Sequence, residues 1–153
     1  MTLEAFLKSL DVPLEEGTTT LRAFWDDVTI EELDAMRDSG YGRAPYALIN
    51  APGDRSDSRT RYWAADKRDG DADITLLRPL PVEATQAEED AASAELASVM
   101  TAIKENLRIV TELSPGQPLH GRMSVANTFY PRRRSLERFS GLTAGLILDF
   151  DLA

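Results

Sequence analysis

The amino-acid sequence predicts an α+β fold, with a mainly antiparallel sheet packed by one long helix and a short N-terminal helix. Three patterns predict this class. Apolar residues recur at helical spacing over 85–113, apolar and polar residues alternate over 142–152, and β-prone runs separated by turn residues precede the long helix. A chain of 153 residues is expected to form a single domain over residues 1–153 and to bury a substantial core.

The N-terminal segment 2–10 predicts a short amphipathic helix that covers part of the sheet. Thr2 is placed to cap this helix, and Asp11 and Pro13 are expected to end it. Its apolar residues fall at i, i+3, i+4 and i+7, which places them on one face: Leu3, Phe6, Leu7 and Leu10.

Short runs rich in aromatic and branched side chains predict the strands of the sheet. Residues 51–58 are polar and contain Pro and Gly, as the tip of a long hairpin loop does, and residues 67–72 have the composition of a turn. A helical turn is expected at 31–37. The predicted strands are 21–30, 45–50, 59–65, 73–80, 119–129 and 142–152.

Residues 85–113 carry the strongest helical pattern. Thr85 and Glu88 form a capping box, because the hydroxyl and the carboxylate can each accept a hydrogen bond from the other's backbone amide. Ser114-Pro115-Gly116 is expected to end the helix, which would be about 25 residues and about 40 Å long. A helix of this length in a small domain is expected to lie across the face of a sheet.

The composition restricts the classes of function. The formal net charge is -9, from 26 acidic and 17 basic side chains, so generic nucleic-acid binding is disfavoured. The same repulsion suits a surface past which DNA slides without sticking, and composition alone does not choose between these interpretations. The absence of cysteine excludes disulfides, thiolate metal sites and cysteine nucleophiles. We expect no signal peptide and no membrane-spanning segment.

No catalytic pattern is found in the sequence, and we expect a protein that is not an enzyme and needs no cofactor or metal. His120 is the only histidine, which excludes a two-histidine metal site, and no phosphate-binding glycine motif is present. Asp69, Asp71 and Asp73 alternate as in some calcium loops, but no glutamate follows at the required spacing. A solvated turn is therefore the favoured interpretation of these aspartates.

Two groups of residues are candidates for contacts with other proteins. Arg132, Arg133 and Arg134, with Arg138 a turn later, form a dense basic cluster. We interpret this cluster as an electrostatic contact with the acidic face of a like protomer, the alternative being a solvated loop that balances local acids. Trp25, Tyr62 and Trp63 are candidate interface anchors, although aromatic residues in strands belong more often to the core.

The order of the elements resembles that of the tail-terminator and tail-completion proteins of long-tailed bacteriophages. The segments that carry the resemblance cover most of the chain: EAFLKSL, LRAFWDDVTIEEL, PYALIN, DITLLRPL, SVMTAIKENLRIV and SLERFSGLTAGLILDFDLA. The ending is the most suggestive part, since Phe139 and a polar-Gly-Leu turn precede an alternating strand that opens with Ala144-Gly145.

This resemblance implies a structural virion protein of the tail or neck, assembled in the host cytoplasm. Six copies would form a ring that caps the tail tube, joins the head-completion or neck protein, and lets genomic DNA pass without specific binding. Sheet edges and the long hairpin would make the contacts between protomers, which brings in Asp54, Arg55, Asp57 and Arg59.

Three other functions compete with the tail-terminator interpretation. A head-completion or neck protein of the connector would have a similar domain one layer higher in the particle. A small cytosolic module that binds a ligand or peptide on its sheet would be a monomer with a concave apolar pocket. An enzyme acting on a phosphorylated substrate through Arg132–Arg134 would lose turnover in Arg133→Ala, and it is the least favoured because no base has a suitable partner.

Overall fold

The computed structural model describes residues 1–14, 17–25, 44–51, 69–136 and 139–153. The helices of these ranges are α1 (Leu3–Lys8) and α2 (Gln86–Asn106), and a 3₁₀ turn, Leu107–Ile109, follows α2. The strands are β1 (Asp11–Leu14), β2 (Gly17–Thr20), β3 (Arg22–Trp25), β4 (Tyr46–Asn50), β5 (Asp69–Pro79), β6 (Ser124–Leu136) and β7 (Phe139–Asp151). The α+β class predicted from the sequence is confirmed.

In the described residues the main sheet has five strands, in the order β3-β4-β5-β7-β6. The pair β3 and β4 is parallel, whereas β4–β5, β5–β7 and β6–β7 are antiparallel. Strands β5 and β7 form the centre of the sheet, in unbroken register from Asp69 opposite Asp151 to Pro79 opposite Gly141. Among the described strands, β3 and β6 lie at the edges of this sheet, and β1 and β2 form a separate antiparallel pair.

One face of the main sheet packs against the long helix. Alternate side chains of β7 are buried there, as the period of two predicts. Helix α2 supplies Ala92, Leu96, Val99, Met100 and Ile103 to the same hydrophobic cluster, and α1 supplies Leu3, Phe6 and Leu7. The buried β7 residues are Leu142, Ala144, Leu146, Leu148 and Phe150.

Both predicted helix starts are confirmed by their caps. The Thr2 hydroxyl oxygen accepts a hydrogen bond from the Ala5 amide, and the Thr85 hydroxyl oxygen accepts one from the Glu88 amide, each at 3.2 Å. These bonds satisfy amides that have no partner inside the helix. Helix α1 ends at Lys8, before Asp11 and Pro13 as predicted, and these two residues belong to strand β1.

The predicted end of the long helix is wrong, because α2 stops at Asn106 and the chain is extended before residue 113. The Asn106 side-chain amide donates to the Ala102 carbonyl at 2.8 Å, and Leu107–Ile109 tighten into a 3₁₀ turn. Beyond them the backbone bonds to the N-terminal segment, since the Leu3 amide donates to the Glu112 carbonyl at 3.1 Å. Leu113 is still fully buried, so its apolar character reflects the core and not the helix.

Two further predictions are corrected by the long β5–β7–β6 pairing. Residues 69–72 are not a turn, because β5 begins at Asp69 and pairs with the end of β7. The strand predicted at 119–129 begins at Ser124 and continues to Leu136, so the arginine cluster 132–134 lies in a strand and not in a loop. The predicted strand at 59–65, the turn at 31–37 and nearly all of the hairpin tip 51–58 lie outside the described residues.

Candidate interaction surface

The face of the main sheet opposite α2, here called the outer face, carries the candidate interaction residues. On β7 it presents Thr143, Gly145, Ile147, Asp149 and Asp151, the residues that alternate with the buried apolar set. Their partners on β5 include Asp71, opposite Asp149, and Asp73, opposite Ile147. On β6 the outer face presents Phe129, opposite Gly145, and Arg132, opposite Thr143.

An irregularity in β6 decides which way the arginines point. The register shifts between Phe129 and Arg132, so that two β6 residues, Tyr130 and Pro131, stand opposite the single residue Ala144. Without the extra residue, strand alternation would place Arg133 on the outer face and turn its neighbours toward α2. The bulge reverses this order and places Arg132 and Arg134 on the same side as Phe129.

Proline is compatible with this position because β6 is an edge strand. Pro131 has no amide to donate, and an edge strand leaves one row of amides outside the sheet. A second register shift lies between Val125 and Asn127. Bulges and proline both hinder the addition of another strand, so this edge is poorly suited to simple strand-to-strand pairing with a neighbour.

The bulge and the central strands enclose an open groove of about 350 Å³ on the outer face. Its walls include Asp73, Phe129, Tyr130, Arg132 and Arg134, and Gly145 forms part of its floor. Phe129 and Tyr130 are 52% and 74% exposed, which is unusual for large aromatic side chains in a strand. Neither aromatic residue was singled out from the sequence, although the Phe-Tyr-Pro run within a strand pattern signals a bulge or an edge.

The two ends of the outer face carry opposite charges. Arg132 and Arg134 are exposed, and within the described ranges neither guanidinium has an ion pair. Asp71, Asp149 and Asp151 are exposed at the other end. Arg132 stands level with Thr143, six residues from Asp149, which corresponds to about 20 Å along a strand.

The acidic end contains unfavourable electrostatic contacts. Asp71 and Asp149 are directly opposite each other on neighbouring strands, and like charges in this position destabilise a sheet. Burial raises the pKa of the Asp73 carboxyl above its ordinary value of 3.8, and the charge of Asp71 raises it further. Among the described residues, no cation is paired with Asp71, Asp149 or Asp151.

Arg133, the third member of the predicted cluster, is engaged within its own chain. Its Nη2 atom donates to the Pro81 carbonyl and to the Ser140 hydroxyl, each at 3.0 Å. Its Nη1 atom is buried without a hydrogen bond but lies 3.4 Å from the Glu89 Oε1 atom. Arg133 therefore ties the β6–β7 hairpin to the start of α2, which is a structural contribution.

Trp25 is half-buried and packs against the core. Its indole Nε1 atom donates to the Glu4 carboxylate at 3.1 Å, which connects β3 to α1. The other residues predicted to make protein contacts lie outside the described residues: Asp54, Arg55, Asp57, Arg59, Tyr62, Trp63 and Arg138.

The described part of the chain contains no group of three or more Asp, Glu or His side chains placed to hold a metal ion. His120 is exposed, and its backbone amide donates to the Asp151 carbonyl at 2.8 Å. Neither described helix has the length and apolar character needed to cross a lipid bilayer. Comparison with protein-family models finds no match, and a search of curated proteins finds no similar sequence.

Proposed function

We propose that this protein is a structural subunit of a phage tail or neck that assembles into a ring. In its simplest form the ring is a hexameric tail terminator, which caps the tail tube and joins it to the head-completion or neck protein. The observation that carries the proposal is the separation of opposite charges on the outer face that have no ion pair among the described residues, with Arg132 and Arg134 at one end and Asp149 and Asp151 at the other.

Separated charges favour a directional contact between copies. When the basic end of one subunit meets the acidic end of the next, the contact uses two different surfaces, and such heterologous contacts build rings if the rotation closes. Complementary charge fixes the register of the contact and disfavours like-charged arrangements. The proline and the bulges of β6 support a contact through the face of the sheet in preference to its β6 edge.

The overall charge is compatible with a ring through which DNA passes. In a ring that uses its exposed arginines for contacts between subunits, most of the remaining charge is acidic, because the chain carries a net charge of -9. An acidic channel repels phosphate and prevents the genome from adhering. In this proposal the protein is assembled in the host cytoplasm, becomes part of the virion, and needs neither a cofactor nor a catalytic residue.

The groove supports a second candidate function, a monomeric module that binds a small ligand or peptide. Its volume of about 350 Å³ lies at the lower end of the range of small-molecule sites. The exposed Phe129 and Tyr130 would then contact the ligand, and the charged ends of the outer face would have no role in assembly. A monomer that binds a ligand in this groove is the outcome that favours this candidate.

Sedimentation and negative-stain microscopy of the purified chain, alone and mixed with candidate tail tube and connector proteins, test the ring. A six-fold ring supports the proposal, and a strictly monomeric chain under all these conditions contradicts it. A particle map separates the tail terminator from a head-completion protein, because the two occupy different layers between head and tail.

A further inference from the structure

We infer that the groove at the β6 bulge receives the acidic end of the outer face of a second copy of this chain, with Asp149 and Asp151 of one copy against Arg132 and Arg134 of the next. This inference rests on the proposed assembly and specifies which surfaces meet. It concerns residues that the fold leaves exposed and without ion pairs inside the described ranges.

The spacing of the two charge pairs is matched. Arg132 and Arg134 are two residues apart on the same side of a strand, which separates their side chains by about 7 Å. Asp149 and Asp151 are also two residues apart on the same side of a strand, with the same separation of about 7 Å. The distance between the two carboxylates therefore equals the distance between the two guanidinium groups of the groove. Each guanidinium can bind a carboxylate through two parallel hydrogen bonds.

The aromatic residues of the bulge supply apolar contact area beside the charges. Tyr130 is 74% exposed, so its ring contributes little to the core, and the bulge places it between Phe129 and Arg132 at the groove. Buried aromatic and arginine side chains dominate the energy of protein interfaces. The groove thus combines an exposed aromatic anchor with two arginines that form no ion pair in the described part of the chain, a composition typical of an interface centre.

The carboxylates along the outer face disfavour a long polyanion such as nucleic acid more than a short protein segment that carries two aspartates. Asp73 lines the same groove, and the aspartates at the far end of the outer face lie further along the axis of strands β5 and β7. A phosphate backbone that followed this axis beyond the two arginines would meet one carboxylate after another. Two aspartates at the end of a strand, by contrast, can be neutralised by the two arginines alone.

The second copy also relieves a repulsion within the monomer. Asp71 and Asp149 stand opposite each other without a cation among the described residues, and the arginines of another subunit would place positive charge beside them. The acidic end is therefore both exposed and destabilised until a basic surface covers it.

The test uses two full-length charge-reversal variants. The first variant carries Arg132→Glu and Arg134→Glu, and the second carries Asp149→Arg and Asp151→Arg. All four positions are exposed, and circular dichroism with thermal unfolding checks that each variant retains its fold. Sedimentation at low ionic strength measures assembly of the wild type, each variant, and an equimolar mixture of the two.

We expect each variant to self-associate at least about tenfold more weakly than the wild type, because its own contact joins like charges. The mixture is expected to recover assembly, with the two variants alternating and therefore with an even number of subunits. Recovery in the mixture supports the inference, and a dimer formed in this way supports the pairing while contradicting the proposed ring.

Rings of either variant with the stability of the wild type would overturn the inference and leave the proposed function standing, since another surface would then make the contact. Failure of the mixture to assemble where the wild type does would also overturn it. A wild type that stays monomeric with its tube and connector partners overturns the inference and the proposed function together. Binding of a single-stranded oligonucleotide that is lost in the first variant would assign the groove to nucleic acid instead.

Discussion

The ring of Phe129 lies over Gly145, with its Cδ2 atom 3.9 Å from the position that a Cβ atom on Gly145 would occupy. The carbonyl oxygen of Ile74 is only 2.8 Å from the same position, so the backbone of β5 leaves no space for a side chain. Glycine at 145 therefore allows close approach of β5 and β7, and the aromatic ring from β6 lies over the glycine.

Gly145→Ala is expected to destabilise the protein by about 1–3 kcal/mol, because the new methyl group forces the central strands apart. Urea unfolding followed by circular dichroism measures the loss. Thr143→Ala, two residues earlier on the same face, is the matched control and should change the free energy of unfolding by less than about 0.5 kcal/mol. An equally stable Gly145→Ala protein would contradict the close approach of the strands.

Arg133→Met is expected to reduce the free energy of unfolding by about 1–3 kcal/mol. The substitution removes the hydrogen bonds to the Pro81 carbonyl and the Ser140 hydroxyl, and it leaves Glu89 without its cation. Arg132→Met removes the same charge from the neighbouring exposed position and should change stability by less than about 0.5 kcal/mol. Equal losses in the two variants would show that Arg133 does not hold the hairpin to α2.

Asp73→Asn is expected to raise the melting temperature at neutral pH. The pKa of Asp73 is raised in the folded chain, so its ionised form costs stability above that pKa, and the cost disappears below the unfolded value of 3.8. The difference between Asp73→Asn and the wild type should therefore be largest at neutral pH and shrink as the pH falls toward 3.8. Melting curves recorded across this range provide the measurement.

Glu105→Gln, an exposed substitution on α2, controls for the loss of one negative charge. Asp73→Asn could also stabilise the protein equally at every pH, or Glu105→Gln could give the same stabilisation. Either result would argue against the explanation that burial and the charge of Asp71 raise the pKa of Asp73.

Tyr130→Ala is expected to weaken self-association by about tenfold or more without lowering stability, since the side chain is 74% exposed and lines the groove. Val82→Ala removes an equally exposed apolar side chain, 77% exposed, from the loop before α2 and should leave association unchanged. Sedimentation equilibrium at several concentrations gives both dissociation constants. Equal effects of the two substitutions would mean that Tyr130 is ordinary exposed surface.

Local patterns predicted those parts of the fold that local physics determines. The cap at Thr85 needs only residues of its own first turn, and the alternation from Leu142 to Phe150 needs only the strand period. Both predictions were confirmed. The burial of α2 along one face followed in the same way from its helical spacing.

Contacts between distant parts of the chain determine two features that were predicted wrongly, the start of β5 and the end of α2. Asp69 to Asp73 have the composition of a turn, but they form a strand because the end of β7 pairs with them. Helix α2 ends early because the backbone of the residues that follow it forms hydrogen bonds with the N-terminal segment. Neither the end of β7 nor the N-terminal segment lies close in sequence to the residues that it pairs with, so a local pattern cannot predict these contacts.

The candidate surface was predicted only in part. The arginine cluster was recognised by its composition, but a single bulge separates Arg133, bound within the chain, from the exposed Arg132 and Arg134. The three arginines are equivalent by composition, because residue composition carries no information about the register of an edge strand. Phe129 and Tyr130 were missed for the same reason, since their exposure depends on that bulge.

The central claim is that charges on the outer face drive assembly into a ring, and the salt dependence of the mass in solution tests it most directly. At low ionic strength, with the tail tube protein present, sedimentation should detect a species of about six times the 16.9 kDa mass of one chain. Exposed charge pairs are screened over about 8–10 Å at 0.1–0.15 M salt, so this species should weaken as salt is added. A monomer at every salt concentration would contradict the claim, and so would an assembly that salt does not affect.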